Sequence, residues 1–267
     1  MTVAMPDHFD HCEANLRKQD RDLWLACLFA PATVRRDLHA IYAFVSEIRD
    51  IRAKVSQPLL GEMRLRWWSD TLESLNLDVA HAHPVADALR DVMRRNALPR
   101  EEFLRLLEAH IFDLYDDSMP TRAALESYCR STCAAPIEWA AKIIGAPPSN
   151  AFHDAGMALG LTRTLCASDQ KFIPLDDSPT SPHDYSKVRR QLIKLAQDYY
   201  QRALHASGAL TSGREALLPA SVIPLFLEQL AQRDYDPAQG PITISPLRRQ
   251  WRLWRAARNY GPVSYTH

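Results

Sequence analysis

The 267-residue chain has little glycine, no excess of either charge and no long apolar run, and each shortage closes off a class of protein. Eight glycines are too few for the turn-dense hairpins of an all-β domain or for a glycine-rich dinucleotide-binding sheet. Lysine plus arginine equal aspartate plus glutamate at 32 each, so no global field draws in nucleic acid and any basic surface has to be local. Five scattered cysteines, an odd number, make no disulfide framework and fit a reducing compartment. No uninterrupted apolar stretch reaches the roughly 18 residues that span a bilayer. The start, MTVAMPDHFDHCE, is acidic and lacks a basic segment leading into an apolar one, so neither a secretory signal nor a transit peptide is expected. The expectation is a soluble, cytoplasmic protein without nucleic-acid partners.

What the chain does have is helical periodicity. At 46% hydrophobic residues a sizeable core is available, and 18 prolines punctuate it. Asp7 to Lys18 and Asp20 to Phe29 read as short helices with Asp7 and Asp20 as caps. Pro31 opens a helix with Leu38, Val45, Ile48 and Ile51 at helical spacing, which Gln57-Pro58 breaks. Further helices are predicted over Leu59 to Leu75, His83 to Asn96, Arg100 to Asp117, Thr121 to Ile144 and Asn150 to Ala167. Three more follow, over Tyr185 to Ser207, Pro219 to Arg233 and Pro246 to Asn259. The segments ASDQKFIPLDDSPTSPHD and YDPAQGPITIS read as surface loops. No repeat and no alternating strand pattern emerges, so the chain is expected to be all-α, one domain over residues 1–267 with roughly ten helices.

Several motifs in order then resemble the squalene/phytoene synthase family. Cys12 to Asp20 reads C-x-x-x-L-R-x-x-D, and Pro31, Arg35 and Arg36 lead into Tyr42-Ala43-Phe44. Asp113-Leu114, Leu125-x-x-Tyr128-Cys129, Gly156-x-Ala158-x-x-Leu161-Thr162 and Ile173-Pro174-Leu175-Asp176 continue the match. The resemblance implies an isoprenoid-synthase-like helical bundle with a central cavity, for which Tyr42, Phe44, Val45, Leu161 and Thr162 are the lining candidates. In active members two D-x-x-x-D motifs on facing helices hold Mg²⁺ against substrate diphosphates. Carboxylates at i and i+4 share a helix face, and the metal stabilises charge on the leaving group.

This chain departs from both motifs. Aligned on Tyr42-Ala43-Phe44, the first acidic pair falls on Arg49 and Ala53, with Asp50 the one adjacent acid left. The second motif falls on RTLCASDQ, where Asp169 alone remains. A subgroup fits better. Ala43 to Asp70, AF-x-x-E-I-x-x-I-R-x-x-V-S-x-P-x-L-G-x-M-R-x-x-W-W-x-D, resembles the subgroup containing the mitochondrial respiratory complex I assembly factor and its α-proteobacterial relatives. So do LLPASVIPLFLEQLAQRDYDP and the following PL-x-x-x-W-R. That resemblance implies a repurposed fold, a pseudoenzyme with no cofactor.

Other residues carry two readings each. Glu47 and Asp50, at i and i+3, are a degenerate metal site or a solvated ion-pair face, the latter preferred because Lys54 is i+4 from Asp50. Asp113 and Asp117 are a relocated cation site or a solvated helix end, the latter preferred. His81 and His83 read as a loop pair, and Cys129 and Cys133 as buried thiols. Trp67-Trp68 either line a binding face for an anionic or prenylated molecule or pack to opposite sides of their helix, the packing preferred. In PLRRQWRLWRAARNY, Leu247, Trp251 and Trp254 share a face beside Arg248, Arg252 and Arg255. That helix either docks its tryptophans on the core or offers a basic interface to an acidic partner or anionic lipid.

Two functional readings follow. One is a synthase-like protein without ordinary Mg²⁺-dependent prenyl transfer that binds an isoprenoid or lipid. It would act in complex I assembly with complex I subunits or assembly factors, in the cytoplasm or peripheral to the inner membrane. The other is an active head-to-head prenyl transferase of the terpenoid type, using farnesyl or geranylgeranyl diphosphate and Mg²⁺ held by displaced ligands such as Glu47, Asp50 and Asp113.

Overall fold

Local side chains decide where most helices begin. Asp7 accepts from the Phe9 N–H at 3.4 Å and Asp20 from the Leu23 N–H at 3.0 Å, opening α1 (His8–Gln19) and α2 (Arg21–Cys27). Pro31 precedes α3 (Ala32–Arg49), and a short α4 (Ile51–Lys54) follows it. Pro58 starts α5 (Pro58–Ser74) and Pro84 starts α6 (Pro84–Arg95), where a missing N–H costs nothing. Then come α7 (Arg100–Ile111), α8 (Arg122–Cys129), α9 (Ala135–Ile144), α10 (Asn150–Cys166), α11 (Pro182–Ser207), α12 (Ile223–Gln232) and α13 (Pro246–Arg258). Thr121 and Ser149 cap α8 and α10 as Asp7 and Asp20 cap the first two. The computed structural model describes residues 7–74, 83–167, 170–175, 182–232 and 240–258, without the side chains of 182–184 and 232. Among them every regular element is a helix or helical turn, as an all-α chain requires.

The described residues fall into two compact units, Met1–Tyr115 with Lys142–Ile144, and Asp116–Ala141 with Gly145–His267. In the first, α3 buries Leu38, Ile41, Phe44, Val45 and Ile48. Phe44 meets Trp68 of α5 edge-on at 5.1 Å and Phe103 of α7 at 5.7 Å, so one aromatic cluster joins three helices. Trp68 is buried while Trp67 is exposed, and their rings meet edge-on at 5.0 Å, so the pair does not pack to opposite sides of the helix as expected.

Three boundaries differ from expectation. The helix starting at Arg100 ends at Ile111 in a 3₁₀ turn over Phe112–Leu114, and Tyr115 is extended, so Asp113 and Asp117 share no helical face. The run from Thr121 to Ile144 is interrupted by a π turn over Arg130–Ala134, in which the Ala135 N–H bonds the Arg130 carbonyl five residues back. Pro136 explains it: its ring has no N–H and would crowd the carbonyl of Thr132, and the wider turn relieves both. The helix expected from Pro219 is preceded by a 3₁₀ run, Arg214–Val222, with Pro219 inside it.

The second unit is built on α10, of which 14 of 17 residues are buried, chiefly against α11 and the π turn. Two glycines permit that approach. A Cβ at Gly156 would lie 2.2 Å from Ala134 Cα, and one at Gly160 would lie 2.7 Å from Cys129 Cβ. All five cysteines are buried and unpaired. Burial pushes the Cys12 and Cys166 thiols up to about 12, so they are poor nucleophiles near neutral pH.

Gly156→Ala tests the close approach. Alanine is the better helix former by about 1 kcal/mol, yet its methyl meets backbone rather than a yielding side chain. A net loss of about 1–3 kcal/mol is expected in urea unfolding. A stability equal to or above that of the parent would show that α10 does not sit so close to the π turn.

Candidate functional site

The end of α3, where the resemblance puts the first metal-binding acids, holds a cation. Arg49 donates from Nη1 to Asp20 Oδ2 at 2.9 Å, and its Nε lies 3.5 Å from Asp50 Oδ1. Burial works against the Arg49 charge, but Asp20 and Asp50 more than offset it and raise its pKa. Asp50 also meets Lys54 at 3.6 Å. Ala53, in the other acid position, is exposed and offers no oxygen. Mg²⁺ demands several hard oxygen ligands around one point. Here the nearby carboxylates are engaged by two cationic side chains, so these residues do not fit a Mg²⁺ cluster. Among the described residues no group of three or more His, Cys, Asp or Glu side chains converges at metal-binding distance.

Glu47 is not on a solvated ion-pair face; that reading holds for Asp50 and Lys54 alone. Its side chain is largely buried, accepts from Asn15 Nδ2 at 2.5 Å and lies 3.7 Å from His83 Nε2. Burial pushes its carboxyl above the ordinary carboxylate range, and the Asn15 amide offsets only part of that. His83 sits 5.2 Å from both Trp67 and Trp68, and burial holds its imidazole below the usual value, favouring a neutral ring. So His83 is no idle loop residue; it links the α6 start to the α5 tryptophans and to Glu47. Asp113 is likewise occupied, with Oδ2 2.6 Å from His110 Nδ1. Nothing local in the sequence pairs Asn15 and His83 with Glu47, or Asp20 with Arg49, because the partners are about 30 residues or more apart.

The cavity-lining candidates are core residues within their own units. Tyr42, Phe44 and Val45 are buried in the first, with Phe44 in the aromatic cluster. Leu161 and Thr162 are buried in α10, where the Thr162 hydroxyl donates back to the Ala158 carbonyl at 2.7 Å. Asp169, Asp176 and His81 lie outside the described residues.

An apolar groove lies in the first unit. It encloses about 790 Å³ between α5 and α7 and is lined by Leu59, Met63, Trp67, Leu104 and Ile111, with Glu62, Asp70 and Glu108 among its polar groups. In the second unit, α13 docks through Leu253 and Ala257, not through its tryptophans. Leu247, Trp251 and Trp254 stay exposed at 80%, 55% and 45%. Arg255 and Arg258 lie over the Trp251 and Trp254 rings, 5.4 and 4.7 Å from their centres. Arg248 reaches Glu228 at 3.2 Å, and Arg252 Nε donates to the Ser221 carbonyl at 3.1 Å. The core-docked reading of the tryptophan face is therefore wrong, and the face is open.

Comparison with known proteins identifies the scaffold. The sequence profile of the squalene/phytoene synthase family matches residues 16–167. NADH dehydrogenase (ubiquinone) complex I, assembly factor 6 of Rattus norvegicus is 28% identical over 247 residues, covering 87% of this chain and 74% of the rat protein. The Homo sapiens protein of the same name is 27% identical, covering 86% and 72%. Among solved structures, a dehydrosqualene synthase superposes with a TM-score of 0.71 at 20% identity over 95% of this chain and 96% of its own. A squalene synthase from Alicyclobacillus acidocaldarius does so with a TM-score of 0.73 at 18% identity over 86% and 95%. At those identities the structures speak to the fold, which is that of the isoprenoid synthases. The profile match spans more than half of the chain, and with it the chain belongs to the squalene/phytoene synthase family.

Proposed function

We propose that this protein is a family member that has given up Mg²⁺-dependent prenyl transfer and serves in the assembly of respiratory complex I. The observation that carries the reading is the Arg49 guanidinium, paired with Asp20 at 2.9 Å at the end of the helix where a synthase would present metal-binding acids. It is supported by relatives that are themselves complex I assembly factors and match over most of this chain. No helix among the described residues is long and apolar enough to cross a membrane. The assembly role puts the protein to work beside the inner membrane, with complex I subunits or other assembly factors as partners. No cofactor is invoked.

The isoprenoid or lipid part of the reading rests on the α5–α7 groove. Its volume is within the roughly 300–1,000 Å³ of small-molecule sites, and Trp67 offers an exposed aromatic wall. It needs no diphosphate grip, since its lining is chiefly aliphatic and aromatic. The rival reading, an active prenyl transferase on displaced ligands, needs Glu47, Asp50 and Asp113 to act together as metal ligands. Each already holds a different partner: Asn15 for Glu47, Lys54 and Arg49 for Asp50, His110 for Asp113.

With farnesyl or geranylgeranyl diphosphate and Mg²⁺, purified protein is expected to release no diphosphate above the buffer rate. Farnesol should quench tryptophan fluorescence in the parent but not in Trp67→Phe. Diphosphate release that Glu47→Ala and Asp50→Ala abolish would sink the pseudoenzyme reading, and quenching that survives Trp67→Phe would remove the groove from it. Deleting the gene should lower assembled complex I and membrane NADH dehydrogenase activity, both restored by the parent gene. Unchanged assembly on native gels would count decisively against the biological role.

Glu47 supplies a pH signature. A carboxyl whose folded pKa is raised contributes stability that is fully present below the ordinary carboxylate pKa and lost as pH rises through the folded value. Glu47→Gln keeps the acceptor for Asn15 without the titration. The variant should therefore gain on the parent in urea unfolding as pH climbs from the carboxylate range toward neutral. A difference constant across that window would mean that Glu47 titrates normally.

A further inference from the structure

We propose that the second unit carries a phosphate-group site between α11, α13 and the 3₁₀ run Arg214–Val222. A cavity of about 210 Å³ opens there, and Arg252, Arg255, Tyr200, Ser207 and Ser221 supply its polar lining. No aspartate or glutamate lines it. It lies below the roughly 300–1,000 Å³ of ordinary small-molecule sites, too small for a prenyl chain but suited to a compact anion.

Two independent features point to that anion. The first is an orphan: Ser221 is 6% exposed and its Oγ has no hydrogen-bond partner. Buried hydroxyls are almost always satisfied, and one left bare beside a cavity is a donor waiting for an acceptor. The second is charge. Arg252 is fixed through Nε by the Ser221 carbonyl, and neither Arg252 nor Arg255 has an acidic partner among the described residues. Guanidinium groups match tetrahedral oxyanions better than any other side chain, because their forked N–H groups bond two oxygens at once. Arg255, which lines the cavity, also lies over the ring of Trp251, and with Leu247 and Trp254 that residue forms an exposed apolar ridge that would suit the chains of a lipid whose headgroup the pocket holds. The shared chemistry is a phosphate group, either on a lipid headgroup or on a free small molecule. The inference does not depend on the assembly role.

The test uses the full chain and two probes. Inorganic phosphate is titrated calorimetrically, and flotation is measured with vesicles of phosphatidylcholine, alone or with about one-third phosphatidylglycerol. Arg255→Ala and Tyr200→Phe alter the pocket; Arg258→Ala removes the same charge from the same helix outside the pocket lining. Arg255→Ala should weaken binding roughly tenfold, as loss of a charge-assisted contact does, Tyr200→Phe by a few-fold, and Arg258→Ala by under about threefold. Calorimetric binding of phosphate assigns the site to free phosphate compounds. Capture by the phosphatidylglycerol vesicles without it, and with the same variant order, assigns it to a headgroup. Equal losses in Arg255→Ala and Arg258→Ala would overturn the proposal in favour of unspecific surface charge, and so would failure of both probes with a parent protein that melts cooperatively.

Discussion

The carboxylate of Asp20 is the constraint on which the chemistry of the first unit depends. Its backbone N–H closes α1 on the Leu16 carbonyl at 2.8 Å, one oxygen caps α2 and the other takes Arg49. A side chain bound by a helix terminus and a guanidinium together cannot move to a metal without leaving both unsatisfied. The half-buried Arg49 would then be left with the longer contact to Asp50 alone, at 3.5 Å. The Arg49 pair thus works against Mg²⁺ at this point by more than the loss of a ligand: it reverses the sign of the local charge and ties that reversal to the start of a helix. Diphosphate chemistry needs acids that are free of protein cations. Here Asp20 and Asp50 are both spoken for.

What the family scaffold retains is apolar. Phe44, Trp68 and Phe103 hold three helices together by ring contacts that need no metal and no substrate. Gly156 and Gly160 serve the second unit likewise, through a close approach that any side chain would block. Packing of this kind constrains shape, whereas the acidic positions at the end of α3 constrain only charge. The two sets of residues can therefore change independently, and one fold can carry synthases and complex I assembly factors alike.

The legible parts of the sequence were those whose causes lie within a few residues. Caps at Asp7 and Asp20 mark helix starts because each side chain bonds a backbone N–H two or three positions on. The substitution of Arg49 for an acid was legible against the family pattern. The π turn was not anticipated, although its cause, Pro136, is a local one; the helical periodicity on either side overrode it. Glu47 was misread for a different reason. Its spacing to Asp50 suggests a shared solvated face, but α1 and α6 pack over it and bring Asn15 and His83, which no local rule connects. The orientation of α13 was undecidable by periodicity, since Leu253 and Ala257 form one apolar stripe and Leu247, Trp251 and Trp254 another. Burial alone says which one docks.

That choice has an electrostatic consequence. A chain with equal numbers of acids and bases has no net field, so a basic surface must be made by segregation. The helix Pro246–Arg258 does this with arginines at 248, 249, 252, 255 and 258 and no acid. Had it docked by its tryptophans, the arginines would face water on a smooth polar surface. Docked by its smaller stripe, it buries little area of its own and instead holds aromatic rings and guanidinium groups side by side in solvent. Anchoring of Arg252 by the Ser221 carbonyl fixes its position without neutralising it, because a carbonyl satisfies hydrogen bonds but not charge. Arg252 therefore keeps its charge while losing much of its side-chain freedom. That is the state in which a cationic surface loses least entropy on meeting an anion.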